Sequence, residues 1–336
     1  MSIVRAERRR LFKRRFTKYM ILVGIVILAA IAAGVFFTNS KPGPETLAAA
    51  QAQADRQYED SIGYWNSRGK AECEASMKAN PDTSKMPVEE VCRGPRKEDF
   101  QAEWYMPSSF DFKDEFPAMI TVWAAIMGLI TFVIGASFVG AEWNSGGMMN
   151  LLLWRPKRSV VLSAKLGSLI GGAVVWSLAI GAVWTAALWF VATVRGTTTG
   201  MTSGTWQSFG LMGLRGLGLA LTLGIIGFTL ATLGRHTAMA LGVAAAVIVV
   251  FQFGVGIVLN LAGVRWVEAY LLPTHMIAWM DKEYIIEDYQ SCNFSSGECK
   301  PETLTLTWVN TGTVMAIIIA VLVGLSYWNM SRRDVA

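Results

Sequence analysis

The chain is 336 residues long, with 53% hydrophobic and 16% charged side chains, against roughly 45–50% and 25% for an ordinary soluble domain. Its apolar residues fall in six blocks of about 19 to 29 residues that carry almost no charge, and ~20 residues at ~1.5 Å rise cross a ~30 Å hydrocarbon core. A soluble fold is excluded, and an all-α integral membrane protein with six transmembrane helices is expected; the net charge of +5 matters through where it falls, because orientation follows Lys and Arg beside the spans.

Residues 1–18 hold eight cations, Arg5, Arg8, Arg9, Arg10, Lys13, Arg14, Arg15 and Lys18, with Leu11, Phe12 and Phe16 among them. This segment reads first as a cytoplasmic topology determinant that attracts anionic lipid, and second as a helix lying in the headgroup region. The first span is 19–37. Its apolar run is long and Gly34-Val35-Phe36-Phe37 is a poor cleavage site, so it reads as an uncleaved anchor.

Residues 38–117 form an extracytoplasmic lobe with ten basic and fifteen acidic side chains. Lys41-Pro42-Gly43-Pro44 leads out of the membrane, Ala48 to Tyr64 is expected to be helical, and Pro81, Pro87, Gly94 and Pro95 break the chain beyond it into short pieces. So small a lobe needs a disulfide or the spans to hold it. Cys73 and Cys92 lie here; Cys292 and Cys299 lie in the second outer region. Local pairings are preferred on loop length, although four cysteines allow three connectivities.

The second span, 118–139, leads into a cytoplasmic elbow at 140–165 that is rich in Arg155, Lys157, Arg158 and Lys165. Gly146 and Gly147 permit a sharp turn with Ser145 placed to cap. A short helix then runs from about Gly147 to Trp154, and Pro156 stops it. Residues 166–262 hold spans three to five (166–194, 209–233 and 238–262), with Arg235 in the cytoplasmic link. Residues 263–308, three basic and seven acidic, are expected to form an extracytoplasmic loop with an interfacial helix, the apolar and aromatic residues between Arg265 and Trp279 lying along the outer membrane surface or dipping back into it. The sixth span, 309–328, ends in a cytoplasmic tail, 329–336, with Arg332 and Arg333.

The chain contains no P-loop: its only Gly-Lys pair, Gly69-Lys70, is followed by Ala71. Its two histidines, His236 and His275, fall on opposite sides, so no metal or cofactor site is expected. Ser137, in Gly135-Ala136-Ser137-Phe138-Val139-Gly140, lacks the spacing of a nucleophile elbow. No span contains Asp, Glu, Lys or His for ion coupling. Arg215 is the one charge within a span, and it either snorkels outward or meets an anionic substrate; with the polar Gln252 and Asn260 it marks a candidate substrate pathway, packing being the plainer role of the latter two. Small-residue series (Ala164, Ser168, Gly172; Gly210, Gly213, Gly216, Gly218) permit close helix approach.

Glu142, Gly146, a Leu-rich helix, Pro156-x-Arg158 and Lys165, in that order, resemble the motif of permease subunits of type-two export ATP-binding cassette (ABC) transporters. Gly147 stands where that family often has Thr, and Phe138 to Trp143 looks like its actinobacterial branch. The resemblance implies that a separate ATPase subunit dimerises on ATP and grips the helix around 146–155 as a coupling element, through residues such as Met149 and Leu152. It implies that Glu142 fixes the elbow while Arg158 and Lys165 hold its far side by contacts to the ATPase, lipid phosphate or carboxylates. A second permease subunit, a bacterial plasma-membrane location with both termini cytoplasmic, and membrane lipids but no nucleic acid as partners are implied as well. Glycine-rich, acid-free spans suit a lipidic, amphipathic or peptide-like cargo. The alternatives are a non-transporting scaffold or sensor that binds a ligand through its outer lobe, and an intramembrane enzyme using Ser137.

Overall fold

The computed structural model describes residues 3–79, 91–154, 157–288 and 301–332. Six of its helices are long and apolar enough to cross a membrane: α2 (Arg15–Thr38), α5 (Phe112–Asn144), α7 (Arg158–Arg195), α8 (Ser203–Gly234), the broken helix Thr237–Leu261, and α12 (Trp308–Arg332). The broken one consists of α9 (Thr237–Val249), a π-helical turn Val250–Val255 and α10 (Gly256–Leu261). The remaining helices are α1 (Ile3–Lys13), α3 (Pro44–Tyr64), α4 (Lys70–Ala79), α6 (Gly147–Trp154) and α11 (Leu272–Asp281). All six spans expected from the apolar blocks have a helix over them.

Two compact units are present. The larger comprises Met1–Ile31, Lys113–Ala187 and Gly200–Ala336. Its centre is α5, whose most apolar window is 72% buried, whereas that of Thr237–Leu261 contains no buried residue. α5 meets α8 where side chains are smallest. A Cβ at Gly135 would strike the Gly224 carbonyl, and one at Gly227 the Phe132 carbonyl, so both backbones approach closely because these positions lack side chains. Thr131 uses that closeness to donate its hydroxyl to the Ala220 carbonyl at 2.6 Å. Of the glycine cluster in α8, Gly216 packs against Ala124 and Trp123, while Gly210 and Gly213 face open space.

The segment after α10, expected to carry a helix, holds more than one element. α11 is present, and beyond it Glu283–Asp288 (β3) pairs antiparallel with Glu302–Thr307 (β4), from Glu283 opposite Thr307 to Asp288 opposite Glu302. Thr303-Leu304-Thr305-Leu306-Thr307 alternates polar and apolar with the two-residue period of a strand. Arg265 bridges the two strands at their last pair with contacts to Asp288 at 2.9 Å and Glu302 at 2.6 Å, and both carboxylates hold its guanidinium above its ordinary value.

The smaller unit comprises Ala32–Phe112 and Leu188–Thr199. Pro44 starts α3, where its missing N–H costs nothing, and the helix runs to Tyr64, into a π-helical turn Trp65–Gly69 and then α4. Cys73 and Cys92 are joined by a disulfide. Gly94 lies against the Trp65 indole, Tyr58 packs edge-on to Phe100 at 5.8 Å, and Lys97 pairs with Asp55 at 3.0 Å. Phe110–Asp111 (β1) and Gly196–Thr197 (β2) form a short parallel pair. A pairing of Cys292 with Cys299 falls outside the described residues.

Candidate functional site

The elbow is built as its residue types demand. α5 ends at Asn144, and Gly146 takes a left-handed φ of 71° that reverses the chain; side chains other than glycine adopt that conformation at a cost of about 1–2 kcal/mol. Gly147 needs no such freedom, since a Cβ there makes only ordinary contacts, 3.4 Å from Ser145 Oγ. α6 then turns Met148 and Leu152 inward, while Asn150, Leu153 and Trp154 form its exposed face; Leu153 is 79% and Trp154 86% exposed. Of the two contact residues expected from the sequence, Met149 is half-buried and Leu152 is buried. Pro156 lies outside the described residues.

Beside the elbow lies a buried ionic cluster. Lys165, 0% exposed, places Nζ 2.8 Å from Glu7 Oε2, where it donates a hydrogen bond, and 2.6 Å from Glu142 Oε2, where it forms an ion pair without hydrogen-bond alignment. Its third direction faces the Phe138 ring, 4.9 Å to the centroid, an attractive arrangement for a cation. The other oxygen of Glu7 accepts from Arg10 at 3.2 Å. Arg14 donates to the Ser137 carbonyl at 2.8 Å; burial lowers its guanidinium from its ordinary value and Glu142 opposes that. A buried lysine is tolerable only when opposite charge and acceptors surround it, and two carboxylates from different helices meet that need.

Lys165 therefore holds carboxylates, one of its three expected kinds of partner. The carboxylate on α1 was not foreseen, because nothing local in the sequence relates Glu7 to a lysine 158 positions away. α1 packs along the start of α7: Ser168 donates to the Val4 carbonyl at 3.3 Å, Leu11 is buried against Gly172, and Phe12 meets Trp176 edge-on at 5.8 Å. Arg14 alone separates α1 from α2, and backbone hydrogen bonds continue across it, from Arg14 to Arg10 and from Lys18 to Arg14.

Arg158 turns instead to the other end of the chain, donating to the Met330 carbonyl at 3.2 Å near the end of α12, where a cation complements the helix dipole. The Ser163 and Tyr327 hydroxyls share a 2.6 Å hydrogen bond one turn further on. Arg235 completes this face of the unit, stacked over Trp143 at 4.8 Å. The first turns of α7 thus bind both α1 and α12, and all the basic segments read from the sequence in the larger unit, apart from residues outside the described ones, gather at one end.

The three candidate pathway residues lie on different elements. Arg215 is half-buried and interacts electrostatically with Asp281, and its carbonyl accepts from Trp279 at 2.8 Å. Gln252 lies in the π-helical turn and Asn260 in α10, and among the described residues no side-chain hydrogen bond joins any two of the three. A cavity of about 330 Å³ opens elsewhere, between α5, α7 and α8, lined by Trp123, Trp184, Trp206, Phe209 and the open faces of Gly210 and Gly213. It contains no charged side chain. Among the described residues no cluster of His, Cys, Asp or Glu is arranged to hold a metal ion.

No curated protein matches the chain significantly. The family described as "ABC-2 family transporter protein" matches residues 3–335, nearly the whole length and every element of the elbow, and the chain belongs to that family as a membrane permease subunit of an ABC transporter.

Proposed function

We propose that the chain is the permease of an exporter in which α6 is the lever pushed by a separate ATPase subunit, with its elbow and both termini in the cytoplasm of a bacterial cell. The observation that carries this reading is the pairing of an exposed apolar face on α6, Leu153 and Trp154, with a buried ionic anchor, Glu7–Lys165–Glu142, beside it. An exposed Trp and Leu on a two-turn helix suit a partner's pocket, since aromatic anchors dominate such contacts. The anchor couples both flanks of α6 to α1, so a push on α6 moves α5, α7 and α1 together rather than bending a loop.

Two such permeases and two ATPases form the working unit, the exposed apolar faces of α2, Thr237–Leu261 and α12 being available to lipid and to the second permease. The uncharged aromatic cavity supports a lipidic, amphipathic or peptide-like cargo, because apolar walls with few polar groups favour such ligands. Photo-crosslinkers installed singly at Asn150, Trp154 and the buried Leu152 test the lever in native membranes. Capture of an ATPase from positions 150 and 154 but not 152 is expected. Absence of an ATPase from every position, or equal capture from Leu152, overturns the assignment.

A further inference from the structure

Around the ionic cluster the charge does not balance. Between α1 and the end of α5 lies an open cleft of about 780 Å³ lined by Arg9, Arg10, Lys13 and Arg14 on one side and by Glu142 and Ser145 on the other. With the neighbouring Lys165 and Glu7, five cations face two carboxylates, an excess of three positive charges around one cavity. Arg10 and Arg14 spend only part of their donor capacity inside the protein, one hydrogen bond to Glu7 and one to Ser137, out of five N–H groups each. Arg9, Arg10 and Lys13 are exposed. Such an array repels itself unless an anion sits in it, and guanidinium groups match phosphate oxygens in a bidentate fork.

Two features favour a lipid over a soluble anion or an acidic protein segment. The same helix and its continuation expose Val4, Phe12 and Phe16, apolar surface that suits acyl chains. A three-charge excess also calls for more than one phosphate. We infer that the cleft is a headgroup site for an anionic phospholipid, preferring one with two phosphates to one with a single phosphate. Because Arg10 also holds Glu7 and Arg14 leads directly into α2, lipid bound there tightens the anchor of the elbow and the first span together. The inference needs no ATPase and stands apart from the coupling reading.

The test is lipid retention by the purified full-length permease, measured by native mass spectrometry with a diphosphatidylglycerol, a phosphatidylglycerol, a phosphatidylcholine and the water-soluble glycerol phosphates as probes. Expected is the order two phosphates, one phosphate, zwitterion, with the soluble headgroups far weaker. Each cation contributes about fivefold, from ~1 kcal/mol apiece near an anionic surface, so R9Q/K13Q lowers affinity for the two-phosphate lipid about thirtyfold. R5Q/R8Q, which removes the same charge from exposed positions outside the cleft, leaves it within a fewfold of the parent. Equal losses in the two variants reduce the site to diffuse attraction and overturn the proposal. So does equal retention of phosphatidylcholine, or headgroup binding as tight without acyl chains. Displacement of the lipid by an added ATPase subunit would assign the cleft to protein instead.

Discussion

Replacing Lys165 by Met removes the charge while keeping an unbranched side chain only one atom shorter, and the structure sets the cost. The ammonium stands 2.8 Å from one carboxylate oxygen and 2.6 Å from the other, which caps the separation of those oxygens at about 5.4 Å. Two like charges at that distance repel by about 3 kcal/mol at an effective dielectric of ~20, within the ~3–5 kcal/mol expected when a buried pair loses one partner. Arg10 still holds Glu7, so the lower end of that range applies. At about 2 °C per kcal/mol for a long chain, K165M should melt about 6 °C below the parent in detergent, followed by intrinsic fluorescence. Adding E7Q removes one of the two facing charges and should recover most of the loss. If K165M melts with the parent, or if E7Q/K165M is no better than K165M alone, the carboxylates do not face each other through the lysine and the anchor argument fails.

Substitution at the elbow glycines separates backbone need from space: G146A, at a φ of 71°, should cost about 1–2 kcal/mol and lower ATP-driven transport, while G147A should be neutral in the same melting and transport assays. In α8, G227L drives a side chain into the Phe132 carbonyl whereas G213L meets open space; the first should yield little folded protein by size exclusion, the second a normal yield. Removing the disulfide with C73S/C92S opens a loop of 19 residues, worth about 3 kcal/mol by loop entropy, and should render the smaller unit sensitive to limited proteolysis at a protease level that spares the parent.

The spans were legible because a bilayer imposes a length and a composition that little else in a sequence satisfies. The helix of the elbow was legible for a similar reason: Gly146 and the Leu-rich run each constrain the backbone locally. The features that escaped the sequence depend on distant partners. Glu7 is one acid in a basic segment until Lys165 arrives beside it. The hairpin of β3 and β4 was hidden because five alternating residues in β4 are too few to outweigh the aromatic, interfacial look of the stretch before them. The facing of α6 was not legible: with only eight residues there is too little periodicity to tell which of Leu151, Leu152 and Leu153 turns outward, and Leu152 is the buried one. Polar type alone linked Arg215, Gln252 and Asn260, and among the described residues their side chains share no hydrogen bond.

The hydrogen bond between Glu7 and Lys165 also imposes an order on biogenesis. The lysine leaves the ribosome 158 residues after the acid, about 8 to 30 s later at ~5–20 residues per second. During that interval the amino-terminal helix waits with its carboxylate hydrated and docks only once the third span has been inserted. A permease with a misplaced third span would keep this end loose and open to quality-control proteases, so that a contact useful in the finished transporter also reports that the first half was threaded correctly.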